Sequence, residues 1–319
     1  MKIIAEFCQN HNGDVAILDE MLHAAALNGA THCKIQTIFV DDLNNRPEFE
    51  EGLVENGVTK VIKRPYGPEY ERLKKLELDY KEHENFIAKC KKYGVEPLTT
   101  CFSRHRISAL KEMGFKSMKV ASYDCASMPL IRELSNAFDD LIISTGATFD
   151  EEIETTAKYL NQQSKKFSFL HCVTIYPTPL NEIHLNRMKY LKHFTPEVGL
   201  SEHTLTERDG IKASVAAIYE GASVIERHFT ILGPTESKDG PVSIRPEHLK
   251  ELSDFAKMSK ADQNLYIQEK VPEFETMLGS EKRQLSNMEL LNRAYFRGRF
   301  VSHINGKVIT NWDEVSING

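Results

Sequence analysis

SMKVASYDCASMPLIRELSNAFDDLIISTGA, residues 117–147, contains one complete unit of the fold. Ser117 to Ser122 is a short apolar run that reads as a strand and carries Lys119 and Ser122. Met128 to Phe138 reads as a helix with Ser127 placed as its N-cap, and Leu141 to Thr145 as a second strand bearing Ser144. A helical crossover of this kind makes the two strands parallel.

The same unit recurs on both sides. Toward the N-terminus, Lys2 to Cys8, Thr31 to Thr37 and Pro97 to Phe102 read as strands. Between and after them lie a helix over Val15 to Asn28 stopped by Gly29, helical sequence over Pro68 to Tyr93, and a short helix over Arg106 to Met113. Toward the C-terminus, Phe167 to Val173, Glu197 to Ser201 and Ser223 to Thr230 are strands, with helices over Asp150 to Asn161, Arg208 to Glu220 and Pro246 to Ser259. Strict β/α alternation predicts a parallel α/β sheet, either open and doubly wound or closed. A count of eight favours a (β/α)8 TIM barrel, which needs about 250 residues, expected here over 1–260. Residues 261–319 then form a short C-terminal extension. Lys260 to Asn287 is polar and weakly periodic, whereas Arg299 to Ile304 and Lys307 to Trp312 flank Asn305-Gly306, a strong hairpin signal. Phe39 to Tyr66 is long, acidic and punctuated by Pro and Gly, which suits a lid or substrate-selecting insertion at the barrel mouth.

Composition narrows the function. Hydrophobic residues make up 41% and charged residues 27% of the 319, as in a globular protein with a large core. The net charge of −6 argues against a nucleic-acid or anionic-membrane partner. No apolar run approaches the roughly 20 residues of a membrane helix, and Met1 leads straight into a strand, so a cytoplasmic location is expected. The six cysteines lack CxxC spacing; most read as small apolar fillers of a reducing compartment, with a site-lining thiol as the minority alternative.

Nearly every strand run carries a residue able to do chemistry: Glu6; Lys34 with Gln36; Thr100; Lys119 with Ser122; Ser144; His171 with Tyr176; Ser201 with His203; Glu226 with His228. Such side chains are costly inside a barrel, so their repetition points to a site at one mouth and to an enzyme. His203 and His228 end neighbouring strands and are candidate ligands of one metal, against the alternative of two hydrogen-bonded core histidines. Lys34 and Lys119, with Thr100, Ser122, Ser144 and Ser201, describe a pocket for a small, multiply charged anion; a Schiff-base lysine or a buried salt bridge compete with that reading. Glu6, near Asn10 and His11, is placed to activate a water.

AEFCQNHNGD (5–14), KIQT (34–37), TTCFS (99–103), MKVAS (118–122), ISTGA (143–147), HCVTIYPTP (171–179), GLSEHT (199–204) and IERHFT (225–230) follow in the order and spacing of the sialic acid synthase family. The resemblance covers about residues 1–260. It implies a phosphoenolpyruvate-dependent condensation with an N-acylated amino sugar to give a nonulosonic acid. It further implies a divalent metal, Mn2+ or Mg2+, on His203 and His228, and phosphoenolpyruvate on Lys34, Thr100, Lys119, Ser122, Ser144 and Ser201. Gln36, Tyr176 and Asp239 match positions near the sugar, Asp124 and Thr174 are counted with the substrate contacts, and Glu6 matches the carboxylate beside the reacting centre.

Departures fall around the sugar. Tyr123 and Asp124 stand where the family often has a glycine and a glutamate. FRGRFVSHINGKVIT (296–310) resembles only the opening of the family's C-terminal antifreeze-like domain, which normally swaps across a dimer and lends an arginine to the partner's site. Arg297 and Arg299 are the tail's candidates for that contact, and a homodimer, if formed, is expected without the usual swap. The alternatives to a synthase are a metal-dependent barrel aldolase or hydrolase acting on another phosphorylated or carboxylated sugar, and a non-catalytic barrel subunit.

Overall fold

The computed structural model describes residues 1–315; the last four residues of the expected extension lie outside the described residues. The described residues contain twelve strands: β1 (Lys2–Glu6), β2 (His32–Thr37), β3 (Leu53–Glu55), β4 (Val58–Val61), β5 (Glu96–Cys101), β6 (Ser117–Val120), β7 (Asp140–Ser144), β8 (Lys166–Cys172), β9 (Val198–Glu202), β10 (Val224–His228), β11 (Val301–Ile304) and β12 (Lys307–Thr310). Eight of them close a parallel barrel in the order β1-β10-β9-β8-β7-β6-β5-β2. Closure is made by β1 against β10, in register from Lys2↔Val224 to Glu6↔His228. The expected TIM barrel is therefore the fold.

Side chains alternate across each strand, and the two faces meet different surroundings. Ile3, Ala5 and Phe7 of the first strand run, Ile35, Val120, Ile143, Phe169 and Ile225 pack outward against helix residues such as Met21, Leu22, Leu134 and Leu160. Ile4, Leu98, Ile142, Leu170 and Val224 form a separate buried cluster on the barrel axis. One step further along each strand, the same inward parity reaches polar residues. The apolar plug thus floors the site that lies above it.

Gly199 shows how tightly β9 and β10 are packed: a Cβ there would sit 1.9 Å from the Val224 carbonyl oxygen. Backbone cannot yield as a side-chain tip can.

The 39–66 insertion carries regular structure. It folds into two 3₁₀ turns, Val40–Asp42 and Pro47–Phe49, and the β3/β4 hairpin. The polar 260–287 stretch is more helical than its periodicity suggests, with helices Lys260–Lys270 and Phe274–Leu278, then Asn287–Phe296. Caps supply what an apolar stripe does not: Ser259 accepts from the Asp262 amide, and Ser286 with Glu289 forms a capping box. The predicted hairpin is present as β11/β12. Ser127 precedes its helix without capping it; its hydroxyl instead donates to the Asn311 carbonyl and anchors the tail.

The tail and the insertion are clipped together. Leu43 bridges to Phe300, the Asn44 amide donates to the Arg299 carbonyl at 2.9 Å, and its side chain to the Gly298 carbonyl at 2.9 Å. Arg104 donates its amide to Ser302 Oγ at 2.7 Å and its guanidinium to Glu133 and to the Asp313 and Val315 carbonyls. Among the described residues, no helix is long and apolar enough to cross a membrane.

Gly199→Ala is expected to lose about 2–4 kcal/mol of stability, the range of overpacked or strained core sites, measured by urea unfolding. Gly67→Ala, with nothing within 4 Å of its Cβ, serves as the matched control and should be neutral or slightly stabilising.

Candidate active site

Above the apolar plug, each barrel strand contributes one inward side chain: Glu6, Lys34, Thr100, Lys119, Ser144, Cys172, Ser201 and Glu226. All are buried. Lys34 pairs with Glu6 and donates to Thr100 Oγ1 at 3.1 Å. Lys119 donates to Ser144 Oγ at 2.7 Å and to the Val120 carbonyl at 2.9 Å, and lies 3.9 Å from Glu226. Ser201 donates to Glu226 at 3.1 Å. Two ammonium groups therefore face two carboxylates, Lys34 with Glu6 and Lys119 with Glu226, so that the four buried charges are paired.

The charges are unevenly held. Burial presses the Lys34 ammonium toward neutrality, but Glu6 and Glu226 outweigh it and raise its pKa. Burial lowers Lys119, which Glu226 only partly opposes. Glu226 keeps its charge against burial through Lys119 and Lys34, whereas burial dominates at Glu6 and raises it. Glu6 is thus the carboxylate better disposed to take up a proton.

The rim lies one further inward step along β9 and β10. His203 and His228 have ring centroids 5.1 Å apart, and both Nδ1 atoms are buried without a hydrogen-bond partner. Burial, helped by the neighbouring His228, Arg227 and Lys119, lowers His203 well below the usual range and keeps its imidazole neutral, the form that ligates a metal. The Tyr176 hydroxyl lies 2.9 Å from His203 Nε2; half of the tyrosine's surface is exposed (49%), but its hydroxyl end is enclosed. Behind the rim, the fully buried Arg227 pairs with Glu202, which also accepts from Ser214 at 2.7 Å and from the Thr204 amide at 3.0 Å. This outward lock fixes the strand ends that present both histidines. His228, whose Nδ1 is orphaned and whose ring offers a nitrogen within 4.8 Å of a carboxylate oxygen of Asp239 and of Cys8 Sγ, suits a divalent cation, and His203 stands beside that group without being part of it.

Other expected residues fall into place around this centre. Ser122 Oγ accepts from the Gly146 amide at 3.1 Å, and a Cβ on Gly146 would strike Thr174 Cγ2 at 2.6 Å and Ser122 Oγ at 2.9 Å, so this glycine lets three loops converge. Thr174 Oγ1 is buried and unpartnered. Gln36 is half-buried on β2. Asp239 stands near His228, 3.8 Å from its Nδ1. Asp124 is buried under the tail, 3.3 Å from Asn311 Nδ2, and burial raises its pKa to about 6.

Three readings need correction or addition. His171 does not join the ring: its parity turns it outward, where Nε2 lies 2.6 Å from the Ile183 carbonyl and burial holds it well below the usual imidazole range. Glu226 closes the ring that was read only from its lysines and hydroxyls; its spacing of two from His228 places both inward. Cys8 does not fill apolar space, because its Sγ lies 2.9 Å from Asp239 Oδ2. In the tail, Arg297 pairs with Glu152 and stacks on Trp312, while Arg299 pairs with Glu69. Both candidate arginines are therefore engaged within the chain.

An enclosed ring of paired lysines and carboxylates below a histidine rim, at the C-terminal mouth of a TIM barrel, is the layout of an enzyme active site. Residues 21–265 match the model of the NeuB family, and the chain belongs to this family of sialic acid synthases. It is a carbon–carbon bond-forming transferase. N,N'-diacetyllegionaminic acid synthase of Campylobacter jejuni is 33% identical over 262 residues, covering 78% of this chain and 73% of the relative. The enzyme of that name from Legionella pneumophila is 32% identical over 301 residues, covering 92% and 78%. The crystal structure of N-acetylneuraminic acid synthetase from Leptospira borgpetersenii has a TM-score of 0.68 at 25% identity, covering 92% of this chain and 90% of that one.

Removing one charge from the ring strands its partner, so Lys119→Met is expected to destabilise by about 3–5 kcal/mol. Adding Glu226→Gln should recover part of that loss, as read by denaturant unfolding of the single and double variants.

At Asp124 the folded pKa of about 6 exceeds the unfolded value. Its protonated form contributes stability that is present below about pH 4, near the unfolded carboxyl pKa, and is lost as pH rises through 6. Thermal melts of wild type and Asp124→Asn should therefore diverge between pH 4.5 and 7, with the wild type losing ground.

Proposed function

We propose that the chain condenses phosphoenolpyruvate with the open-chain form of an N-acylated aldose, such as N-acetylmannosamine or a diacetamido-trideoxyhexose, and releases phosphate. The observation that carries this reading is the stacking of a lysine-containing ionic ring under a two-histidine rim in one mouth. The names of the two bacterial relatives, which specify a diacetylated acid, favour a diacetamido sugar. A cytoplasmic enzyme, alone or as an unswapped homodimer, fits this role.

His203 and His228 would hold a divalent metal, which supplies Lewis acidity to the aldehyde oxygen. Lys34 and Lys119 hold the carboxylate and phosphate of phosphoenolpyruvate, with Thr100, Ser122, Ser144 and Ser201 as hydroxyl partners. This positioning directs carbon 3 at the aldehyde carbon. As the new carbon–carbon bond forms, the aldehyde oxygen takes a proton from solvent water and positive charge develops at carbon 2. Glu6 orients a water and accepts its proton as oxygen adds to carbon 2. The resulting hemiketal phosphate breaks its carbon–oxygen bond, phosphate leaves carrying the proton of the carbon 2 hydroxyl, and the keto acid remains. Gln36, Asp124, Thr174, Tyr176 and Asp239 line the sugar side.

The test is phosphate release from phosphoenolpyruvate across a panel of acylated aldoses and divalent ions. Sugar-dependent release, abolished by EDTA, indifferent to borohydride and reduced by about 10²–10³ in Glu6→Gln, is the expected result. Release without sugar would make the chain a hydrolase, borohydride trapping would make Lys119 a Schiff-base former, and no release with any sugar would leave a non-catalytic barrel.

A further inference from the structure

Cys8 lies two residues after β1 and adopts φ 47, a left-handed conformation that strains a non-glycine residue. The strain has a visible result. Cys8 Sγ, one ring nitrogen of His228 and one carboxylate oxygen of Asp239 all lie within 4.8 Å of one another. Sγ is 2.9 Å from Asp239 Oδ2, and that carboxylate lies 3.8 Å from His228 Nδ1, which is buried and has no hydrogen-bond partner. All six cysteines are free and buried, but among the described residues only Cys8 belongs to a group with metal-binding spacing.

The cluster is held from outside. Ser243 Oγ donates to the Asp239 carbonyl at 2.7 Å and accepts from Asn10 Nδ2 at 2.9 Å, while Ser237 donates to Asn10 Oδ1 at 2.7 Å. Asn10 is fully buried and also donates to the Phe229 carbonyl at 3.0 Å. The turn after β1 and the loop after β10 are thereby joined, which fixes Asp239 over Cys8. Such hydrogen-bonded support is what a ligand set needs to keep its geometry.

We propose that Cys8 and Asp239 are metal ligands together with His228, beside His203, so that the cation site contains a thiolate. The inference rests on the divalent metal of the proposed function but extends its ligand set and its selectivity. A thiolate favours Zn2+, Fe2+ or Co2+ and disfavours Mg2+, which prefers oxygen donors. Binding breaks the S–H bond, forms a sulfur–metal bond and releases one proton to solvent.

The test uses the full chain stripped with chelator and titrated with Co2+, read by absorption rather than by turnover. A near-ultraviolet thiolate-to-cobalt charge-transfer band is expected in wild type, with release of about one proton per ion. Cys8→Ser should lose the band and bind Zn2+ at least about tenfold more weakly. Cys8→Gly, which relaxes the left-handed backbone, provides a second variant with the same expected loss, its fold checked by circular dichroism. Cobalt binding without that band in wild type, or a band retained in both variants, overturns the thiolate site while leaving a metal-dependent synthase intact. Absence of any cobalt binding overturns both.

Discussion

Two lysines and two glutamates enclosed on a barrel axis can remain charged only if each is answered by a neighbour, and that compensation governs the rest of the molecule. It requires β1, β2, β6 and β10 to reach the same depth, which closure of the barrel enforces. It also requires a dry floor, supplied by Ile4, Leu98, Ile142, Leu170 and Val224. The ring's donors are already oriented, Lys34 by Glu6 and Thr100, and Lys119 by Ser144 and the Val120 carbonyl. The rim of His203, His228, Asp239 and Cys8 lies above this ring and sets imidazole, carboxylate and thiol groups close together.

Much of this was legible in the sequence because a strand imposes a period of two. Ile4 and Glu6, Leu98 and Thr100, Ile142 and Ser144, or Val224, Glu226 and His228 share one face of their strands, so the strand-end residues singled out in the sequence sit directly above the apolar floor. His171 failed for the same reason it attracted notice: a histidine near a strand end is conspicuous, but its odd parity relative to Leu170 and Cys172 faces it outward. Cys8 was read as filler because composition cannot distinguish a thiol in apolar packing from one against a carboxylate. That distinction depends on Asp239, 231 positions away.

The regions least legible were those stabilised by capping and ion pairs rather than by an apolar stripe. The helix at Asn287–Phe296 depends on its capping box, on Glu289 with Arg283, and on Arg293 joined to Glu152 and the Ala147 carbonyl. These polar contacts carry the tail across the mouth, where Phe296 stacks on Tyr123 with centroids 4.6 Å apart and Asn311 reaches Asp124. Tyr123 and Asp124, which follow Ser122 at the end of β6, thus lie against the tail segment that covers them.

The central claim is that the ionic ring is an anion site. Calorimetric titration of phosphoenolpyruvate in the absence of sugar tests it most directly, comparing wild type with Lys34→Met and with a folded control altered on the outer surface, Lys250→Met. Saturable binding in wild type and control, weakened on the order of 100-fold in Lys34→Met, is the predicted result for loss of a buried charge-assisted contact. Equal affinity in all three, with the Lys34→Met fold intact by circular dichroism, would contradict the assignment and leave the ring a structural device.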